Sequence, residues 1–375
     1  MDFKITELRT TKDRLRFVKS QWNFHKDDKF WVPPVVADRM KLLNTEKNPF
    51  FKHSEIQLFI AEREGKVVGR IAAIINRNHN TTHNDKVGFW GFFESINDRS
   101  VSDALFNEAG KWLKDRGCDS MIGPENPSMN DEIGMLFEGY DSSPVILMTY
   151  NPPYYNQLCE SYGMTKAKDV FAYLLDSAAF LTDKITRMQQ VIRDRYKVTF
   201  RQFDMKNKEQ FRKDVQTLKD IYNAAWQPNW GFVKWTNEEF DFIAQDLKMT
   251  ADERLAVIMY VDDKIAGFGL ALPDLNIVLK YNKSGSMIGA IWHLMTKKKK
   301  INLCRIVALG VLPEFQNKGL DVVLYYELGS RGMNCGYIYG EASWILEDNV
   351  MMNRGLTQTM HAELYKKYRL YEMHL

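Results

Sequence analysis

A strand, tight turn, strand pattern occurs twice, and it limits this chain to a small set of layered α/β arrangements. Leu58–Arg63 and Val67–Ile75 flank Glu64-Gly65-Lys66, and Leu255–Val261 and Ile265–Leu272 flank Asp262-Asp263-Lys264. After each hairpin comes another strand candidate, Val87–Glu94 and Arg305–Val311. Apolar residues at helical spacing follow: Leu105, Ala109, Trp112 and Leu113, then Leu320, Val323, Leu324 and Leu328. Arg116-Gly117 and Arg331-Gly332 mark the helix ends, and Cys118–Gly123 and Gly336–Ser343 read as the next strands. Gly69 and Gly267, Asn151 and Asn349, and Leu158 and Leu356 all stand at one common offset.

That register predicts two similar α/β units, residues 1–178 and 195–375, joined by a helical linker over 179–194. Each unit reads as a mixed, mainly antiparallel twisted sheet flanked by helices. The alternative is one α/β domain whose hairpins resemble each other by chance. With 45% hydrophobic and 26% charged residues, the chain can bury a sizeable core. Its net charge of +3 names no partner and disfavours nucleic acid.

No apolar run approaches the roughly 20 residues needed to cross a bilayer, so no membrane partner is expected. The N-terminus, Met1 to Glu7, carries acids where a secretory signal has basic and then apolar residues. Cys118, Cys159, Cys304 and Cys335 include no CxxC pair and read as reduced thiols in a cytoplasmic protein. His79 and His83 are spaced for one helix face, but Asn80-Thr81-Thr82 between them reads as a loop and no third ligand is near. No metal site is expected.

The chemistry is concentrated in Arg305–Asp321, which reads as strand, glycine-bearing loop and helix. Such a loop aims backbone N–H groups at one point beside the positive end of a helix dipole, where a pyrophosphate can sit. Val311-x-Pro313-x-x-Gln316-x-x-Gly319-x, placed after a hairpin, resembles the acyl-CoA loop of the GNAT superfamily of N-acetyltransferases. The resemblance extends over most of each half in element order. It implies cofactor contacts from Val311, Leu312, Gln316, Asn317, Lys318, Gly319, Leu320 and Asp321. The family places a small residue where this chain has Asp321. In the first half, Ser95–Ser102 fills the corresponding loop without glycine, so that half is expected to have lost the cofactor site and to serve as scaffold.

The resemblance also implies direct attack of an acceptor amine on the thioester. The Val311 and Leu312 amides would steady the oxyanion, and a protein group would protonate the leaving thiolate. The family's Tyr for that step falls at Leu356 here. Glu341, Ser343 and Asn349 are the candidate catalytic residues, with Tyr365 and Tyr368 behind them. Asp348 or Asn349 equally suits a helix N-cap, and Glu341 a solvated face.

Tyr222–Phe232 and Trp22–Pro34 are aromatic and amide-rich. Each reads either as acceptor-pocket wall or as core packing. Lys297–Lys300 reads as a solvated run or an attractor of phosphates, and Met287–Met295 as an insertion helix covering an apolar pocket. The functional expectation is an acyl-CoA-dependent N-acyltransferase, with acetyl-CoA as default donor and a small-molecule or peptide amine as acceptor. The alternatives are a non-catalytic acyl-CoA-binding or scaffold protein and an aminoacyl-tRNA-dependent transferase. Acceptor identity, acyl length and oligomeric state are open at this level.

Overall fold

The structure, a computed structural model, describes residues 2–375; Met1 of the acidic N-terminus lies outside them. The chain forms two compact units, one of Met1–Val170, Asn276–Lys298 and Lys366–Leu375, the other of Phe171–Leu275 and Lys299–Tyr365.

In the first unit, strand Lys4–Leu8 pairs antiparallel with Ser54–Arg63, which forms a hairpin with Lys66–Asn76. Glu64 and Gly65 both have positive φ (51° and 75°), the twist a two-residue hairpin turn requires. Lys66–Asn76 then pairs antiparallel with Val87–Ser95, which pairs parallel with Ser120–Gly123. The last strand, Glu363–His374, belongs to this unit from Lys366 onward and adds antiparallel, with Tyr371 opposite Gly123. The parallel join needs a crossover, supplied by helix Arg99–Lys114. Its stripe of Leu105, Ala109 and Leu113 packs on Phe59, Ile71 and Trp90.

The second unit repeats that order of pairing. Val198–Gln202, Ala256–Val261, Lys264–Pro273 and Leu303–Val311 are joined antiparallel, and Leu303–Val311 pairs parallel with Tyr339–Leu346 across helix Leu320–Asn334. Asp262 and Asp263 supply the positive-φ turn of its hairpin. Leu320, Val323, Leu324 and Leu328 bury against Val257, Met259 and Ala266.

Three elements depart from the sequence reading. The crossover helix of the second unit passes Gly332 and ends at Asn334. Gly332 instead faces Cys304, whose Sγ would be 3.7 Å from an added Cβ, while Gly336 at φ 90° turns the chain away. The linker breaks into Ser177–Phe180 and Asp183–Tyr196, because Thr182 caps the second helix through Ile185 N. The segment carrying His79 and His83 is a helix, Arg77–His83. The Asn76 side chain caps it by accepting from Asn78 N and His79 N, which outweighs the weak propensities of Asn80, Thr81 and Thr82. Among the described residues no helix is long and apolar enough to cross a membrane.

Candidate active site

Strand Leu303–Val311 holds the site together. Arg305 lies opposite Glu341 on the parallel neighbour, and pairing stops at Ile306 opposite Ala342, although the two strands run on to Val311 and Leu346. The strands therefore part in mid-course. On the other side, the register with Lys264–Pro273 slips between Leu270 and Ala271, opposite Ala308 and Ile306, so that Val307 is an inserted bulge residue that bends the strand.

The same pairing decides which amides are free to act on a bound group. Leu312 N donates to Ala266 O at 2.8 Å, so the Leu312 amide expected to help an oxyanion is already committed. Hydrogen-bonded and non-bonded pairs alternate along an antiparallel ladder. Val311, opposite Gly267, therefore aims its N–H away from that ladder, toward the side where Tyr339–Leu346 has separated.

Beyond Val311 the loop tightens into the Pro313–Phe315 turn. Gln316 N donates to Pro313 O at 3.2 Å and its side-chain amide to Val311 O at 3.1 Å, which staples the loop. The Gln316 amide is thus spent within the protein. Asn317 and Gly319 have φ of 62° and 73°, and helix Leu320–Asn334 starts with no side-chain cap. Among the described residues, the N–H groups of Asn317, Lys318, Gly319, Leu320 and Asp321 meet no protein acceptor. Positive φ at Asn317 and Gly319 sets these amides as a nest at the positive end of a helix of 15 residues. The Lys318 ammonium donates to Glu314 O at 3.0 Å, beside the Phe315 ring, and does not neutralise Asp321. Asp321 stays half-buried in the first helical turn.

The equivalent place in the first unit is closed. Asp98 caps helix Arg99–Lys114, accepting from Ser100 N at 3.0 Å and from Arg63 Nη2 at 2.8 Å. The Arg63 guanidinium and the Ser100 hydroxyl hold its carboxyl below the usual range. That carboxylate already satisfies a donor an incoming phosphate would need and repels the phosphate itself.

Where the strands part, four side chains converge. Glu341 is fully buried, Arg305 2% exposed and Ser343 5% exposed. Arg305 Nε donates to Ser343 Oγ at 2.9 Å, and Ser343 Oγ donates to Glu341 Oε1 at 2.5 Å. The guanidinium also covers the Trp344 ring at 4.8 Å. The half-buried Tyr365 donates its hydroxyl to Glu341 Oε2. The solvated-face alternative for Glu341 does not hold, since strand alternation turns it and Ser343 inward together.

Asn349 is not part of this cluster. Its Oδ1 accepts from Met352 N at 3.2 Å and caps helix Val350–Arg354, the capping alternative. Leu356, at the family's Tyr position, is buried among Tyr173, Tyr325 and Met360. Tyr368 is buried in the first unit and does not belong to this cluster. Burial pushes the Cys304 thiol up to about 12, leaving it protonated and a poor nucleophile. Among the described residues no group of three or more His, Cys, Asp or Glu could hold a metal.

Of the aromatic stretch, Tyr222 stacks on Trp226 at 4.4 Å, and Trp226 lies against the strand at Gly310, where an added Cβ would be 2.9 Å from its ring. Trp31 of the other stretch is 3% exposed, stacked on His25 and edge-on to Trp22. Sequence reasoning did not single out Arg305, nor the buried group in the first unit where Glu94 Oε2 meets His25 Nε2 at 2.7 Å and accepts from Tyr155 at 2.8 Å. Burial works against the Glu94 charge, but His25 and Arg70 outweigh it and hold the carboxyl low. The available signal was a charged residue set inside an apolar strand, as Arg70, Glu94 and Arg305 all are.

A parted parallel strand pair, a bulged strand and an uncapped glycine loop before a helix define the GNAT N-acetyltransferase fold. Solved structures agree. A tandem GNAT protein from the clavulanic acid biosynthesis pathway superposes with a TM-score of 0.59 at 10% identity, covering 99% of this chain and 98% of that one. A GCN5-related N-acetyltransferase from Sphaerobacter thermophilus gives 0.52 at 11% identity, over 100% and 96% of the two chains. In sequence, the chain is 34% identical to bacterial ceramide synthase of Caulobacter vibrioides over 380 residues, covering 99% of this chain and 97% of that protein. It is 31% identical to protein YghO of Escherichia coli over 373 residues, 96% and 92% of the two lengths. The chain belongs to the family of these two proteins. No family model matches it.

Proposed function

We propose that the chain is an acyl-CoA-dependent N-acyltransferase whose acceptor is a long-chain amino alcohol, so that its product is a ceramide-type amide. The observation that carries the acyl-CoA reading is the nest of unmet amides from Asn317 to Asp321 at the uncapped start of a helix. The acceptor class rests on the relative named bacterial ceramide synthase. That name favours a fatty acyl donor over the acetyl-CoA default.

In this reading the amides of residues 317–321 hold the pyrophosphate, with the Gln316 side chain bracing the loop. The pantetheine arm enters where Leu303–Val311 and Tyr339–Leu346 part. The acceptor nitrogen attacks the thioester carbonyl carbon; the C–N bond forms, and the Val311 N–H stabilises the oxygen that gains charge. Glu341 receives the proton the nitrogen sheds, and Ser343 and Arg305 position it. The C–S bond then breaks, and the thiolate takes up a proton by way of Tyr365, which stands in for the family tyrosine replaced by Leu356. Trp226 and Tyr222 wall the acceptor side. The acyl-CoA site falls in residues 195–375, and residues 1–178 act as scaffold behind the linker 179–194.

The test is thiol release by the full chain from acetyl-, octanoyl- and palmitoyl-CoA, with a panel of amines that includes a long-chain amino alcohol such as sphinganine. Turnover is expected with the longer acyl donors and a long-chain amine. CoA binding without turnover across the panel would replace this reading with the non-catalytic one.

A further inference from the structure

Helix Met287–Lys297 is built inside out. Surface helices of globular proteins bury their apolar stripe and expose a polar one. Here Met287, Ile288, Ile291, Trp292 and Met295 fall on one arc, and their exposures are 43%, 82%, 51%, 64% and 79%. The buried residue is small, Ala290. The expectation that this helix covers an apolar pocket is corrected: its large apolar side chains point outward.

The helix is anchored through the turn before it. Trp22 Nε1 donates to Lys283 O at 2.7 Å, and Val36 N donates to Gly285 O at 2.9 Å. Gly285, at φ 65°, lies so close to Trp22 that an added Cβ would meet the ring at 2.7 Å. Ser286 caps the helix by accepting from Gly289 N. Its orientation is fixed by this anchorage, with the apolar arc on the solvent side.

Charge identifies the occupant. Residues 276–300 contain Lys280, Lys283, Lys297, Lys298, Lys299 and Lys300 and no Asp or Glu. The whole chain carries only +3, so the remainder of the molecule is net acidic. A second copy brought face to face would oppose lysine to lysine. Aromatic and aliphatic side chains on one arc, with lysines beside them, match what an interfacial helix needs on an anionic leaflet.

We propose that helix Met287–Lys297 lies in the headgroup region of an anionic bilayer and docks the protein on it, with Lys298–Lys300 bound to lipid phosphates. This goes beyond the expectation of no membrane partner, requires no membrane-crossing helix, and stands without the acyl-transfer reading.

The experiment is co-sedimentation of the full chain with vesicles of phosphatidylcholine alone or with about one third phosphatidylglycerol, at low and high salt. Binding is expected to the anionic vesicles, weakened by salt. It should fall roughly tenfold or more in I288Q/I291Q/W292Q and severalfold in K298Q/K299Q. The altered side chains are exposed, so melting temperature should be unchanged. No sedimentation of the wild-type chain, equal binding by I288Q/I291Q/W292Q, or a dimer on light scattering that this variant abolishes would each overturn the proposal.

Discussion

Glu341 illustrates what one residue's surroundings decide. Fully buried beside Arg305 and hydrogen-bonded by Ser343 and Tyr365, it is held in one place. Glu341→Gln keeps the shape and removes the proposed proton acceptor. Turnover should fall about 10²- to 10⁴-fold while acyl-CoA affinity stays within a factor of two or so, by steady-state kinetics beside direct titration. Tyr365→Phe should lower kcat with KM little changed; a change in KM or stability with kcat unchanged would assign Tyr365 to structure alone.

His79 makes the stability of the fold depend on pH. Burial pushes its imidazole down to about 4, against the pull of Asp85. The folded chain therefore leaves it neutral through a range where the unfolded chain protonates it at about 6.5. Stability should fall as pH drops from about 6.5 to about 4 and owe nothing to His79 above that window, a loss of about 3 kcal/mol. Urea melts across this range should show that slope in the wild-type chain and a flatter one in His79→Gln. Glu341 and Ser343 were legible because strand alternation puts them on one face. Arg305 was not, because its role depends on which strand lies beside its own.

Among elements, the two crossover helices share a place in the pairing order but differ in how they begin. Helix Arg99–Lys114 opens on the Asp98 carboxylate, and helix Leu320–Asn334 opens on bare amides after Gly319. Asp98→Ala should cost about 1–2 kcal/mol of stability in denaturant melts, the usual worth of an N-cap, and leave acyl-CoA binding unchanged. Loss of acyl-CoA binding in that variant would put the site in the wrong half.

Both hairpins were legible, since a positive-φ turn between apolar runs is a local signal. Helix ends were less so. Gly332 reads as a stop, yet close packing against Cys304 uses its missing side chain, and the true turn falls at Gly336. The Arg77–His83 helix was hidden because its cap, Asn76, lies at the end of a strand. The commitment of Leu312 N to Ala266 O was invisible for a different reason: ladder register belongs to the pairing, not to either strand alone.

For the whole molecule, the recurring offset of Gly69 with Gly267 has a physical meaning. Each glycine stands opposite the last residue of the strand before the loop, Ser95 in one unit and Val311 in the other. At Gly267 an added Cβ would sit 2.4 Å from Gly310 O, so glycine lets the strands approach there. The offset conveyed the architecture, whereas the outward-facing helix Met287–Lys297 could not be read from sequence. Apolar periodicity shows that a helix has an apolar side and is silent on which way the side faces.

The proposed acyl transfer requires a diphosphate held by the amides of residues 317–321, and calorimetric titration with CoA itself measures that contact. CoA carries the diphosphate without an acyl chain. The wild-type chain should bind it, and Gly319→Asp, which brings the carboxylate of the first unit's helix start into the second, should weaken binding at least about 100-fold relative to Gly319→Asn, which carries the same strain at φ 73° without the charge. Absence of CoA binding by the wild-type chain, or equal binding by the two variants, would contradict the proposed contact.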